Sequence, residues 1–545
     1  MRRRKQLDRT RVIFLGIVGI AILIVGIGIA YSFANDLISQ TRATATVAGR
    51  TNATQATPVV ELTSPNPIFA SGYKPGADKL PVYICGADAF GSYFILQQMQ
   101  VSGKDVAHGF HLGIVPFLLD NDTAYDVSEE QRTALLNAGK WDCLLTTLDS
   151  VALTSPGQIT AIVDESAGAD QLWGRSISTV NDLKGKRITF SRGSVGEYFV
   201  YYALSIARLN PRFDVTLVPK DTVADAVTAF NDQQADVVSG WEPDIYDAKN
   251  SGGAPLLSSN QLRIVMDVVV TSRQSIAAKA DLVQAFHDAW FDTLKAQVEN
   301  FDKASSDIAA WGHNDWSFVS KENARDDLTQ WLTSVAQADL GDNAFVMRDP
   351  TPIVNRLGIA RRVWAASGAT VPQDDVANLV NPGFVARSVA QASLQANGNP
   401  VNDTFSLSTH IELSSLNPDD AITLAVLPCR RFAFLPESTT LTLESRQILD
   451  DCVLPTLSQS VGLYLRVKGS SAWPGPKGTY TEDQILEFAK ARAQSVVDYL
   501  VSKGVDPARF IIEATLPPDD HRETEDAEKQ AEDRYVEMTL ITVGR

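Results

Sequence analysis

The stretch NDLKGKRITFSRGSVGEYFVYYALSIARL, residues 181–209, combines a strand, a glycine turn and a helix in one run. Asp182–Lys186 reads as a charged turn and Arg187–Ser191 as a short buried strand. Gly193-Ser194-Val195-Gly196 then turns tightly before a helix that starts near Glu197. The first amides of such a helix lack intrahelical partners, so with the Ser194 hydroxyl they form a polar socket at the end of a strand. Ser194 also reads as a plain helix cap. A nucleophile elbow does not fit, because Arg192 stands at the first glycine position of G-x-S-x-G; a phosphate loop does not fit either, because no Gly-Lys-Ser/Thr follows.

The same grammar recurs on both sides. Pro81–Cys85 reads as a strand, Gly86–Gly91 as a loop and Tyr93–Val101 as a helix. A helix over Ser128–Ala138 leads to a strand over Trp141–Thr146, whose end carries Asp149 and Ser150. Ala224–Gln233 reads as a helix and Asp236–Ser239 as a strand, followed by Gly240-Trp241-Glu242-Pro243. Strand-loop-helix repeats predict a parallel α/β sheet, and ligands of such sheets sit beyond the carboxyl ends of the strands. Four loops are therefore expected to converge, although Trp241 would serve equally well as a core plug. The apolar run Ile264–Val270 returns toward the first strands, and helices follow over Asp281–Trp311, Lys321–Ala338 and Arg361–Ser367.

In this order the pieces LLNAGKWDCLLTTLDSVA, IVDESAGAD, VNDLKGKRITFSRGSVGEYF, AVTAFNDQQADVVSGWEPDI and LVNPGFVA resemble the solute-binding proteins of ABC importers of the nitrate, sulfonate and taurine class, over roughly residues 80–385. The resemblance implies an α/β two-lobe periplasmic-binding-protein fold, type II-like, over 80–370. Lobe 1 would hold 80–165 and 270–370, and lobe 2 would hold 166–268. A ligand would sit in the cleft and be enclosed by hinge closure. By position Asp88, Phe90, Asp149, Ser150, Gly193, Ser194, Trp241 and Glu242 are the candidate ligand-binding residues. Within a sulfonate, amine or heterocycle class, the carboxylates Asp88, Asp149 and Glu242 disfavour a bare anion and favour an amine-bearing, zwitterionic or neutral heterocyclic solute. Each carboxylate also reads as a helix cap or a partner for Arg192. The class further resembles enzymes that make a thiamine pyrimidine precursor. That chemistry would call for clustered His and Cys, which these loops lack apart from Cys85, so no enzymatic role and no cofactor are expected.

The chain has 545 residues and a net charge of −17, which argues against a nucleic-acid partner. Residues 1–11, MRRRKQLDRTR, precede an uncharged apolar run at 12–34 that is long enough to cross a ~30 Å hydrocarbon core. Charge asymmetry places residues 1–11 in the cytoplasm and the bulk outside, as a single-pass cell-membrane protein. Ser32-Phe33-Ala34 would suit a signal-peptide cleavage site, but the run exceeds a typical h-region, which favours an uncleaved anchor. Residues 35–79, rich in Thr, Ala, Ser, Pro and Gly, read as a flexible stalk. Export permits disulfides, and Cys85–Cys143 with Cys429–Cys452 is the economical pairing of the four cysteines. No metal-ligand spacing occurs.

Residues 371–420 read as a second linker. Beyond it, strands at Ala421–Leu427, Val461–Gly469, Phe510–Ala514 and Tyr535–Val543 alternate with helices over Thr440–Ser458 and Glu482–Lys503, a small α+β domain. LRVKGSSA, AKARAQSVVDYLVSKGVDPARFIIEA and EDRYVEMTLI resemble the OmpA-like peptidoglycan-binding family over 421–545. In that family an aspartate and an arginine clamp the diaminopimelate of wall peptides. Arg492 occupies the arginine position, whereas Ala472 stands where the aspartate would be. Arg492 also reads as a solvated helix charge.

The combined expectation is a membrane-anchored solute-binding component that delivers a small-molecule ligand to an ABC permease, with peptidoglycan as the candidate partner of the last domain. The alternative is a ligand-sensing receptor or an envelope scaffold. Eleven cytoplasmic residues are few for direct signalling.

Overall fold

The structure is a computed structural model that describes residues 64–117, 128–311, 319–391, 394, 421–460 and 462–543. The expected anchor at 12–34, most of the stalk and the 395–420 part of the second linker lie outside the described residues. Among the described residues, no helix is long and apolar enough to cross a membrane.

Lobe 1 begins with β1 (Val82–Asp88), β2 (His111–Phe117), β3 (Cys143–Thr147) and β4 (Gln158–Ser166). The chain then crosses to lobe 2 and forms β5 (Asp170–Gly174), β6 (Arg187–Ser191), β7 (Thr216–Lys220), β8 (Val237–Trp241) and β9 (Ala254–Ser258). It returns to lobe 1 with β10 (Met266–Thr271) and the short β11 (Val335–Gln337). Lobe 1 is thus a six-stranded sheet in the order β11-β4-β10-β3-β1-β2, and lobe 2 a five-stranded sheet in the order β7-β6-β8-β5-β9. β1 runs parallel to β2 and β3, as β6 does to β7 and β8, while the returning β10 is antiparallel to β3 and β4. β2, β5 and β10 are buried along their whole length, including the polar side chains Asp170 and Gln171 of β5 and Asp267 of β10.

Among the described residues, two chain segments join the lobes, 167–169 and 259–265. They are tied together where Ser166 and Ser259 share a hydroxyl hydrogen bond of 2.7 Å and Gly168 N donates to Ser259 Oγ at 2.9 Å. Cys85 and Cys143 face each other in register on β1 and β3 and form a disulfide, with Cα atoms 4.5 Å apart.

Several elements differ from the sequence expectation. The helix expected over Lys321–Ala338 is Ala324–Leu332, because Val335–Gln337 peels off to pair with Asp164–Ser166 at the sheet edge. The 281–311 helix is two, Ala280–Glu299 and Phe301–Ala310, broken where Asn300 caps the second by accepting from Lys303 N at 3.0 Å. Residues 371–391 are packed on lobe 1 rather than forming the start of a linker. Val380 bridges Ile159, and Phe384, in the helix Gly383–Val389, stacks on His287 at 5.2 Å. The end of the stalk is likewise anchored, since Ile68 and Ile114 exchange backbone hydrogen bonds of 2.7 and 2.9 Å.

The C-terminal domain comprises β12 (Ala421–Ala433), β13 (Tyr464–Ser470), β14 (Phe510–Thr515) and β15 (Tyr535–Val543), in the order β12-β15-β13-β14. The helix Glu482–Ser502 covers one face, and a short helix, Ala527–Asp533, occupies the acidic segment before β15. Cys429 and Cys452 form the second disulfide, with Cα atoms 6.5 Å apart. This domain sits against lobe 2 and the second crossover. Arg208 donates to the carbonyls of Asp451 and Cys452 at 3.1 and 3.0 Å, and Ser460 Oγ donates to Leu262 O.

Candidate functional site

A cavity of about 1280 Å³ lies between the lobes. Lobe 2 supplies the turn after β6 and the turn after β8. Lobe 1 supplies the turn after β1 and side chains from the helices Glu129–Asn137, Ala324–Leu332 and Thr351–Ser367. Six of the eight candidate residues stand on its wall: Asp88, Phe90, Gly193, Ser194, Trp241 and Glu242.

Asp149 and Ser150 do not. The helix Leu148–Thr154 starts directly at the end of β3 with no intervening loop, so its first turn is buried and only Leu153 and Thr154, at its far end, reach the cavity. Asp149 is 2% exposed and neither carboxylate oxygen has a hydrogen-bond partner; burial pushes its carboxyl up to about 7.

The socket expected at residues 193–196 is partly occupied by the protein itself. Gly193 has φ +67°, a left-handed conformation that glycine adopts without strain, and its N–H donates to Glu197 Oε2 at 2.6 Å. Ser194 Oγ accepts from Gly196 N at 3.1 Å and donates to Ser191 O at 2.7 Å, so it does cap the helix. Glu242 accepts from Gln171 Nε2 at 3.2 Å, from Tyr246 Oη and from Ser334 Oγ at 2.6 Å, the last being a bridge from lobe 2 to lobe 1.

Sequence reasoning missed the aromatic contribution of the later helices. Trp331 stands edge-on to Phe90 at 6.5 Å and lies so close to the backbone of the turn that a Cβ at Gly91 would come within 2.7 Å of it. Trp364, on the helix Thr351–Ser367, also lines the cavity and donates from its indole to Asp149 O at 3.1 Å. A tryptophan on an amphipathic helix reads as core, and no local signal distinguishes it.

Behind the cavity, at the crossovers, lies a layer of buried acids. Asp164 on β4, Asp170 on β5 and Asp267 on β10 sit near one another, and Tyr93 Oη donates to Asp267. Desolvation pushes Asp164 and Asp170 up to about 7 and Asp267 well above the usual carboxylate range. Among the described residues, no group of three or more His, Cys, Asp or Glu is arranged to hold a metal ion.

Arg492 is not the solvated charge that one reading of the sequence allowed. It is 1% exposed and donates to the carbonyls of Ser438 at 3.0 Å, Ser470 at 3.0 Å and Leu435 at 3.4 Å, between the rings of Phe434 and Phe488.

Residues 158–304, from β4 through lobe 2 to the helix Phe301–Ala310, match the family described as NMT1/THI5 like. No curated protein matches the chain. Among solved structures, the alkanesulfonate-binding protein SsuA from Xanthomonas axonopodis pv. citri, bound to MOPS, is 17% identical, with 56% of this chain and 100% of that one covered and a TM-score of 0.42. The periplasmic aliphatic sulphonate binding protein SsuA from Escherichia coli is 14% identical, with 56% and 93% covered and a TM-score of 0.44. The desulfurization enzyme DSZB is 18% identical, with 57% and 99% covered and a TM-score of 0.37.

Proposed function

We propose that the chain is the extracytoplasmic solute-binding component of an ABC-type importer, held at the cell membrane by residues 12–34, which captures a small organic solute by closure of its two lobes. The observation that carries this reading is the cavity of about 1280 Å³, walled by both lobes and spanned at its back by two short chain segments. Such a hinge lets ligand contacts to both walls favour the closed state. The NMT1/THI5-like match over 158–304 supports it, as do two disulfides, which suit an oxidising compartment. Thermal-shift titration of the purified chain against sulfonates, amines, heterocycles and nitrate tests it. A ligand of the cleft raises Tm by a few degrees through linkage of binding to folding; no shift across all four classes removes the proposal.

The resemblance of its sequence pieces supports reading the C-terminal domain as OmpA-like, with wall association as its role. Ala472 in place of the acid and the engagement of Arg492 with three carbonyls point away from a diaminopimelate clamp. Retention of the chain on purified peptidoglycan tests the association. A second reading, a receptor or envelope scaffold, draws on the docking of this domain onto lobe 2 and the second crossover, which would carry lobe movement to it. Solute-dependent change in wall or partner binding without transport would favour that reading.

A further inference from the structure

We infer that the solute of the cleft is an organic cation, an amine or quaternary ammonium carried on an apolar body. This rests on the solute-binding reading and narrows it.

Charge is the first ground. Among the described residues lining the cavity, eight are Asp or Glu and two are Arg. At three of the wall carboxylates the hydrogen-bond donors are neutral and do not cancel the charge. Glu197 accepts from a backbone amide and from Tyr201 Oη at 2.8 Å, Asp327 from Ser320 N and Oγ at 2.8 and 2.6 Å, and Glu242 from an amide and two hydroxyls. Neutral donors favour the ionised form and leave its charge in place.

The second ground is what an anion would find. In the turn at 193–196 the Gly193 amide is taken by Glu197 and the Gly196 amide by Ser194, so a sulfonate or nitrate at Gly193 would have to displace the protein's own carboxylate. Each uncompensated wall carboxylate would repel it further.

Glu129, on the cavity wall, is paired through Oε2 with Arg132 at 3.2 Å; its side chain is 10% exposed, and Oε1 is buried with no hydrogen-bond partner. A buried, unpartnered carboxylate oxygen is costly and is satisfied by an N–H donor. Phe90, Trp241, Trp331 and Trp364 supply aromatic surface on the same wall, the environment in which an ammonium gains cation–π attraction and its apolar body is desolvated.

Calorimetric titration of the full purified chain at pH 8 with choline, phenethylamine and putrescine tests the assignment, against taurine, MOPS and nitrate and against 3,3-dimethylbutan-1-ol, the neutral isostere of choline. At least one cation should bind, weaken several-fold with added salt, and exceed the neutral isostere at least tenfold. Glu129→Gln should cut that affinity by about tenfold; Glu130→Gln with Asp221→Asn, at positions on the accessible rim where folding is not at stake, should cut it several-fold. Tighter binding of a sulfonate or nitrate, or equal binding of the neutral isostere, overturns the organic cation and leaves solute capture standing. Binding by none of the three classes overturns both.

Discussion

Asn181 of lobe 2 holds the backbone of Val426 in the C-terminal domain with both ends of its amide: Nδ2 donates to Val426 O at 3.1 Å, and Oδ1 accepts from Val426 N at 2.7 Å. Val426 lies beside a register shift in the β12–β15 pairing, so its exposed backbone is open to a partner outside the sheet. With Arg208 on the carbonyls of Asp451 and Cys452, this ties the last domain to lobe 2, and the two are expected to unfold together. Each neutral hydrogen bond contributes about 1 kcal/mol and each charged one about 2 kcal/mol. Asn181→Ala with Arg208→Ala should therefore split a single calorimetric transition into two, the C-terminal one lowered by several degrees. Superimposable scans of variant and parent would show that the contact is not coupled to folding.

Arg492 acts as the internal brace of the C-terminal domain. Its guanidinium collects carbonyls from the β12-to-helix turn and from the end of β13, and burial lowers its pKa to about 10, still far above neutrality. Truncation leaves those carbonyls without their donor in a dry site. Arg492→Ala should cost about 3 kcal/mol in urea denaturation of this domain, and Arg492→Lys, with one donor centre instead of a fork, at least about 1 kcal/mol. Equal urea midpoints would disprove the brace.

The buried acids at the crossovers, with Asp149 at the start of the helix Leu148–Thr154, set a pH dependence. Asp149, Asp164 and Asp170 titrate near 7 in the folded chain and near 4 once unfolded. Between those values the folded state binds more protons, so stability falls as pH rises from about 4 to about 7, by at most ~1.4 kcal/mol per pH unit per group. Buried His287, pushed down to about 4, works in the opposite sense between about 4 and 6.5, but it is one group against several. Surface carboxylates lowered by their partners, such as Asp236 beside Arg187, titrate beneath the window. Tm should be lower at pH 8 than at pH 5, and Asp164→Asn should flatten the profile and raise Tm at pH 8. A Tm that climbs from pH 5 to pH 8 contradicts the account.

What the sequence made legible follows from range. Residues 187–207 carry their strand, turn and helix locally, and loops at the carboxyl ends of parallel strands meet by topology alone, so Asp88, Ser194 and Trp241 reach one cavity. Asp149 fails for a local reason that sequence hides, since nothing marks whether a helix begins one residue after a strand or four. Trp331 joins Phe90 across some 240 positions, and three-residue β11 exists only because β4 offers an edge; both are tertiary outcomes. The direction of the Glu197 side chain, back onto Gly193, decided what the turn can bind, and composition carries no such direction.

The two disulfides differ in access, and chemical labelling separates them. Cys85 and Cys143 are both fully buried under the lobe 1 core, whereas Cys452 is 6% exposed and Cys429 is half-buried on β12 near the domain surface. Thiol exchange needs direct approach of a thiolate to sulfur, so the inner bond opens only through unfolding of lobe 1. Native-state treatment with dithiothreitol and iodoacetamide should alkylate Cys429 and Cys452 while Cys85 and Cys143 stay protected until denaturant is added, as read by peptide mass. Their loops of 58 and 23 residues predict unequal stabilities as well. On chain-entropy grounds, losing the first should cost about 4 kcal/mol and the second about 3 kcal/mol. Cys85→Ser with Cys143→Ser should thus lower the Tm of the chain further than Cys429→Ser with Cys452→Ser does. Prompt native alkylation of Cys85 would mean that lobe 1 opens far more readily than its packing implies.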